Sequence, residues 1–231
     1  MMLKGQFTGE KFDKNGHPAP QIHQSSIDHL PVTRGITKAV AMPNSCIFSG
    51  ANGDLRFWSF RGNRTNFNAE FFTSFSPIPI SEIRELLVGA NTEFPYDGFP
   101  TLWEQTVARV RGAFRVLTKV EDLTIVSCET EPFFTALGAA TDGPILLPGL
   151  RRLTIYVGSG GPDVSALIRC AEARFESSGP LGELTVIFEN EPKAYMVQEV
   201  ELLRGFVEEL SYRVGASPGM KIWESRDGDT W

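Results

Sequence analysis

The spacing Leu-x-x-Leu-x-Ile recurs along this chain and constrains its fold more than any other feature. It centres on Leu86, Leu123, Leu153 and Leu184, and a weaker copy that lacks the first apolar residue centres on Leu55. Successive centres are 31, 37, 30 and 31 residues apart. Because 42% of the residues are apolar, a single copy arises easily by chance, and the recurrence carries the information. A near-constant period of this kind is typical of a solenoid of stacked repeats.

Each of these short strands is followed by a pattern that predicts a helix. The clearest pattern has alternating steps of four and three residues, which place one face together: Trp103, Val107, Val110, Phe114 and Leu117. Residues 131–140 and 163–176 predict two further helices. A fourth and longest helix is predicted from the spacing of Val200, Leu203, Val207, Leu210 and Val214. Alternating strands and helices predict an α/β fold in which helical crossovers join parallel strands.

Two architectures fit this alternation: an open doubly wound sheet with helices on both faces, and a curved solenoid with its helices on one side. The repeated spacing favours the solenoid. We therefore expect residues 46–214 to form a leucine-rich-repeat-like α/β solenoid of about four to five long, irregular strand–helix repeats. Residues 1–45 are expected to be an irregular lead-in with one short strand near Ile36–Met42. Residues 215–231 are expected to be an irregular acidic tail.

Composition excludes several classes of function. A net charge of −6 over 231 residues argues against a nucleic-acid partner, which requires clustered Lys and Arg. No apolar run is long enough to predict a transmembrane helix. Charged residues interrupt the first twelve positions, so no signal peptide is predicted and the expected location is cytoplasmic or nuclear. Cys46, Cys128 and Cys170 are widely spaced and odd in number, which predicts free thiols and no metal site.

Candidate chemistry is sparse, and the sequence predicts neither catalytic residues nor a cofactor. The turn Gly158-Ser-Gly-Gly161 follows a strand and precedes a helix, where backbone amides can hold an anion. Asp163 occupies the place of the third glycine of a dinucleotide-binding fingerprint, and its charge would repel phosphate. A plain glycine-rich turn is the favoured interpretation. The alternative, a small α/β enzyme that binds an anionic ligand at residues 158–163, stays open.

Several phrases of the central region resemble the leucine-rich half of fungal F-box proteins. They are Ile80-Ser-Glu-Ile-Arg-Glu-Leu86, Trp103-Glu-Gln-Thr-Val-Ala-Arg-Val-Arg-Gly112, Val120-Glu-Asp-Leu-Thr-Ile-Val-Ser-Cys128 and Leu153-Thr-Ile-Tyr-Val-Gly158. The resemblance spans residues 46–214 and implies repeats that capture a protein substrate. In that family an N-terminal F-box also docks on the Skp1 adaptor of a ubiquitin ligase. Here no Glu-Ile-Leu-type helix follows Leu30-Pro31, so Skp1 docking is not predicted, and the chain is expected to be a fragment or a divergent relative.

If the strands stack, the residues that flank each strand leucine form columns on the concave face. The columns expected to contact a partner contain Asp54, Glu85, Asp122, Arg152 and Glu183 in the first, Arg56, Thr124, Thr154 and Thr185 in the second, and Trp58 and Tyr156 in the third. Acidic side chains beside aromatic ones suit a protein partner with basic and apolar groups. The sequence therefore predicts a non-catalytic protein-interaction module.

Overall fold

Eight strands form one open sheet in the computed structural model, which describes residues 31–42, 45–58, 78–90, 100–127, 130–138, 145–157 and 164–215. The strands are β1 (Ile36–Met42), β2 (Ser45–Gly50), β3 (Gly53–Trp58), β4 (Glu85–Ala90), β5 (Asp122–Ser127), β6 (Arg152–Val157), β7 (Leu181–Phe188) and β8 (Val207–Val214). Their order is β3-β2-β1-β4-β5-β6-β7-β8. The sheet does not close into a barrel, and β3 and β8 are its two edges.

Four α-helices connect the later strands of the described chain. They are α1 (Pro100–Val116), α2 (Glu131–Leu137), α3 (Val164–Ser178) and α4 (Ala194–Glu201), with short 3-10 turns η1 (Pro31–Thr33), η2 (Ile80–Glu82) and η3 (Leu202–Gly205). The predicted α/β class is thereby confirmed. The sheet is mixed, because β1 pairs antiparallel with β2, and β2 with β3, whereas β1 and β4 to β8 are parallel.

The parallel strands stack their leucines in register. Leu86 pairs with Leu123, and the same row continues without a shift through Leu153, Leu184 and Leu210. A second row, two residues further along each strand, contains Val88, Ile125, Ile155 and Val186. All of these side chains except Leu210, at the edge, are 2% exposed or less. Because side chains alternate along a strand, both rows lie on one face of the sheet, which forms part of the core.

The helices contribute the other half of this core. Val107, Val110, Phe114 and, just beyond the end of α1, Leu117 are buried as the helical pattern predicts, and Thr106 and Ala113 are buried beside them. The side chain of Trp103 lies outside the described residues. Neighbouring helices contact each other in chain order, α1 with α2, α2 with α3, and α3 with η3. Each crossover therefore packs beside the preceding one.

The fourth predicted helix is wrong in its second half. Helix α4 ends at Glu201, η3 follows, and Val207–Val214 forms strand β8 beside β7. The steps of three and four from Val200 to Val214 fit a helix, but Val207, Leu210 and Tyr212 also reproduce the spacing of the other repeat strands. Tertiary pairing decides between the two, since β8 can extend an existing ladder from Leu181–Val207 to Phe188–Val214.

The prediction that Leu55 begins the parallel array is also wrong. Its strand, β3, is an edge strand that pairs antiparallel with β2. The neighbour of β4 is β1, in which Ile36, Ala39 and Ala41 repeat the same spacing with alanines in place of larger residues. Ala39 pairs with Leu86. The last part of the expected lead-in, residues 36–42, is thus an interior strand of the sheet.

A buried arginine supports the chain where it enters β6. Arg174 in α3 is 3% exposed, and its guanidinium donates hydrogen bonds to the carbonyl oxygens of Leu146 (2.8 Å) and Leu147 (3.0 Å). Leu147 has φ of 49°, a conformation that is unfavourable for leucine. Burial lowers the pKa of Arg174. The two hydrogen bonds therefore hold a strained turn against α3, five residues before β6 begins.

Replacing Arg174 by methionine keeps most of the apolar stem but removes both donors. We expect Arg174→Met to lower the free energy of unfolding by about 2 to 4 kcal/mol, since one buried and one partly buried carbonyl lose a charged partner. Urea denaturation measures the loss. The matched control is Arg169→Met, at an exposed position of the same helix. Equal stability of the two variants would contradict the supporting role of Arg174.

Two glycines give opposite predictions for alanine substitution. A Cβ at Gly50 would lie 2.7 Å from the carbonyl carbon of Gly35 and 2.9 Å from Cα of Ile36, whereas nothing lies within 4 Å of one at Gly112 in α1. We expect Gly50→Ala to destabilise the protein by about 1 to 3 kcal/mol through overlap with backbone. Gly112→Ala should stabilise it by about 0.5 to 1 kcal/mol, because alanine favours the helix. Urea denaturation measures both variants, and a Gly50→Ala variant as stable as the wild type would contradict the strand pairing at Gly50.

Candidate functional site

One face of the parallel sheet carries the polar residues, and we call it the open face. It consists of three rows set by strand register. The first row is Lys38, Glu85, Asp122, Arg152, Glu183 and Glu209. The second row is Val40, Leu87, Thr124, Thr154, Thr185 and Ser211, and the third is Gly89, Val126, Tyr156, Ile187 and Arg213. Most of these residues are partly or fully exposed.

The first row is a line of charged residues across six strands, in which two carboxylates follow each cation. Lys38 Nζ lies 2.7 Å from Glu85 Oε2, and Arg152 makes a two-pronged ion pair with Asp122. The hydrogen bond from Arg152 to Asp122 is the main cause of the raised pKa of Arg152. Both cations of the row are therefore engaged on the β1-to-β6 side. The row ends in two carboxylates, Glu183 and Glu209, which occupy paired positions.

Hydroxyl groups of the second row hold the carboxylate of Glu183 in place. The hydroxyl of Thr185 donates to Glu183 Oε1 (3.1 Å) and lies 2.9 Å from the hydroxyl of Ser211. Because a hydroxyl has only one proton to donate, Ser211 is the donor to Thr185. The chain of bonds from Ser211 through Thr185 fixes Glu183 on the open face. A fixed acceptor beside a second carboxylate favours a cationic group from a partner.

The third row is the most apolar part of the open face. Met42 Sδ occupies the space that a Cβ at Gly89 would need, so the methionine side chain covers the glycine. Tyr156 is partly exposed, and its neighbour Ile187 is 2% exposed although it does not face the helices. Tyr156 and Arg213 flank Ile187 on the two neighbouring strands. Tyr156 and Arg213 therefore form the exposed part of this region around a buried isoleucine, and the second row separates them from the charged row.

The structure separates the predicted contact residues into two groups. It brings Glu85, Asp122, Arg152 and Glu183 into one row, with Thr124, Thr154 and Thr185 in the next and Tyr156 in the third. Asp54, Arg56 and Trp58 lie on β3, which β2 and β1 separate from β4. Five strand spacings of about 4.8 Å place β3 about 24 Å from β6. The side chain of Trp58 lies outside the described residues.

Asp54 and Arg56 thus form a separate small site at the β3 edge. Arg56 lies 3.6 Å from Asp54 Oδ2, and register connects Asp54 to Glu85 only through Ser49 and Lys38. Four further residues of the open face were not predicted from the sequence, namely Lys38, Glu209, Ser211 and Arg213. Their signal was present as the repeat spacing in β1 and β8, but alanines weaken it in the first and helical periodicity masks it in the second.

The remaining features predicted from the sequence form no ligand-binding or reactive site within the described part of the chain. The turn at residues 158–163 and Cys128 lie outside it. Within it, no group of three His, Cys, Asp or Glu residues could hold a metal ion. None of the helices in the described ranges has the length and apolarity that crossing a membrane requires.

Comparison with known proteins identifies no relative of this chain. No protein-family model matches the sequence, and neither a curated protein nor a solved structure matches the chain.

The two described cysteines provide a test of core packing. Cys46 and Cys170 are free and buried, and burial raises the pKa of Cys46 far above its usual value and that of Cys170 to about 12. Only the thiolate is reactive. In a Cys128→Ser variant at pH 8, we expect Ellman's reagent to label neither thiol in the native protein and both in urea. Rapid labelling of the native variant would contradict the packing around β2 and α3.

Proposed function

We propose that this protein is a non-catalytic protein-interaction module and that a protein partner binds its open face. The observation that carries the proposal is the arrangement of the three rows. In-register pairing from β4 to β8 places charged, hydroxyl and aromatic side chains in parallel lines on a face opposite the buried leucines. A surface that combines an aromatic anchor with fixed polar groups has the composition of a protein-binding patch.

We further propose that the parallel part of the sheet is a leucine-rich-repeat-like curved solenoid. Three observations support this architecture. Strands β4 to β8 are adjacent in chain order, most of their buried side chains occupy one face, with Thr185 and Ile187 of β7 as buried residues of the other, and successive helices contact each other. A doubly wound sheet would instead place helices on both faces, and its strands would be buried on both. A solenoid also explains why the open face is continuous, since every crossover returns on the opposite side.

The resemblance to the repeats of F-box proteins agrees with this proposal. In that family the repeats capture substrates, and the residues that carry the resemblance include β4, β5 and β6. The proposal extends to substrate-type capture of a protein. It does not extend to Skp1 docking.

The chemistry of the open face specifies the partner more closely. Lys38 and Arg152 already have carboxylate partners, whereas the row ends with Glu183 and Glu209 side by side. Like charges at paired positions repel each other, so a Lys or Arg from a partner would relieve this repulsion. Tyr156, which is partly exposed, lies in the third row on β6, the strand next to β7. The expected ligand is therefore a peptide segment that presents a basic residue next to an aromatic or aliphatic one.

Peptide display against the full-length protein tests this proposal. We expect enriched peptides to combine Lys or Arg with an apolar residue, and a synthetic copy to bind in isothermal titration calorimetry. The double variant Tyr156→Ala/Glu183→Lys should weaken that binding at least about tenfold, as expected for loss of a central anchor and its charge partner.

A charge-reversed variant on the helical side of the protein is the control. Arg109→Glu changes an exposed residue of α1, and it should leave the affinity of the same peptide unchanged. Circular dichroism verifies that each variant is folded. Failure to enrich basic–apolar peptides, or equal binding by the wild type and the open-face variant, would contradict the proposed function.

A further inference from the structure

The two edge strands of the sheet differ in how far their core-facing side chains are buried. At the β3 edge, Leu55 is fully buried, η1 contacts the strand, and the amide of Asn52 donates to the carbonyl oxygens of Pro31 (3.2 Å) and Arg34 (3.1 Å). At the β8 edge, Tyr212 is 41% and Val214 48% exposed. Within the described residues, β8 pairs with β7 alone.

Apolar exposure continues from β8 onto the neighbouring turn. Leu202 in η3 is 62% exposed, and η3 contacts β8. Phe175 of α3 is also exposed and meets Phe206 edge to face, with ring centroids 6.2 Å apart. An edge strand with unpaired backbone groups and adjacent apolar side chains is a template for another strand. The β8 edge therefore has the properties of an interface.

The sequence of β8 is complementary to itself in one antiparallel register. With Ser211 opposite Ser211 of a second copy, Glu209 lies opposite Arg213 and Leu210 opposite Tyr212. Both charged residues are exposed and project from the open face, whereas Leu210 and Tyr212 project from the core side. Directly opposed residues share a face, so the central pairs match opposite charges on the open face and apolar residues on the core side, while Glu208 and Val214 face each other at the strand ends.

The neighbouring registers lack this match. Centring the pairing on Tyr212 places Arg213 opposite Ser211 and Glu209 opposite Gly215. Centring it on Leu210 places Glu209 opposite Ser211 and Arg213 opposite Val207. Only the register centred on Ser211 pairs the two opposite charges, and two-fold symmetry makes that pair twice.

We propose that the β8 edge binds the β8 edge of a second copy of this chain, antiparallel about a two-fold axis at Ser211. The two sheets become one continuous sheet of sixteen strands, twice the eight of a single chain. Because the axis is perpendicular to the sheet, both open faces point the same way. The exposed Leu202 residues of the two η3 turns approach each other beneath the joined strands. The dimer thereby joins two open faces side by side. In it Glu209 pairs with Arg213 of the second copy, and Glu183 of each copy stays available to a peptide.

Charge reversal at β8 tests the dimer and its register. Sedimentation equilibrium of the 231-residue chain is measured from about 1 to 100 µM, which covers the dissociation constants of the weaker interfaces of this size. The mass should approach twice the 25.5 kDa of one chain. Glu209→Arg or Arg213→Glu alone places like charges opposite each other and should raise the dissociation constant at least about tenfold. The double variant Glu209→Arg/Arg213→Glu restores opposite charges and should return it to within about threefold of the wild type.

Two further variants separate this interface from a general loss of structure. Glu172→Arg makes the same charge change on the exposed surface of α3 and should leave dimerisation unchanged. Ser211→Cys should form a disulfide-linked dimer on mild oxidation, because opposed Cα atoms of antiparallel strands lie about 4.5 to 5.5 Å apart. Tyr195→Cys, exposed on α4, should not.

Several results would overturn the proposal. One is a monomer at about 100 µM, the result expected if residues 216–231 or a different protein cover the edge. Another is a double variant that stays as weak as the single ones, which would exclude this register. Efficient crosslinking at Tyr195→Cys but not at Ser211→Cys would place the contact elsewhere. Because no open-face partner is needed for these measurements, they are independent of the proposed peptide binding.

Discussion

The in-register parallel ladder is the constraint on which the rest of this structure depends. Each strand from β4 to β8 supplies a leucine at the same height, and a shift of one residue would turn these leucines away from the helices. The row extends from Leu86 to Leu210 over five strands. Its burial under the helices provides the main hydrophobic stabilisation of the parallel region.

The same register determines what the other face presents. Once the leucines are aligned, the residues beside them must also align, so charges at equivalent repeat positions become a continuous row. Lys38 with Glu85 and Arg152 with Asp122 neutralise most of this row, and the unneutralised carboxylates occur at β7 and β8. Both the proposed peptide site and the proposed dimer contact use this end of the sheet, where the aromatic and aliphatic residues are also concentrated.

The sequence was sufficient to predict the repeat strands β4 to β7, the position of α1 and α3, and the row from Glu85 to Glu183, because large apolar residues at fixed offsets mark each strand. It failed where the same offsets were ambiguous. Alanines in β1 bury little surface and leave a weak signal. In β8, steps of three residues between Val207 and Leu210 fit a helix as well as a strand that enters a ladder. Nothing local in Leu55 distinguishes an antiparallel edge strand from the first parallel repeat, because strand direction is set by connections and pairing.

The most direct test of the central claim is cysteine accessibility along β6, measured one residue at a time from Arg152 to Val157 in a Cys128→Ser background. A sheet with one helix-covered and one open face predicts alternation: cysteines at 152, 154 and 156 react with a soluble maleimide in the native protein, and those at 153, 155 and 157 react only after unfolding. This pattern follows from the burial of Leu153, Ile155 and Val157, all 2% exposed or less. Uniform protection at all six positions would mean that both faces are covered, and it would contradict the open face and the functions proposed for it.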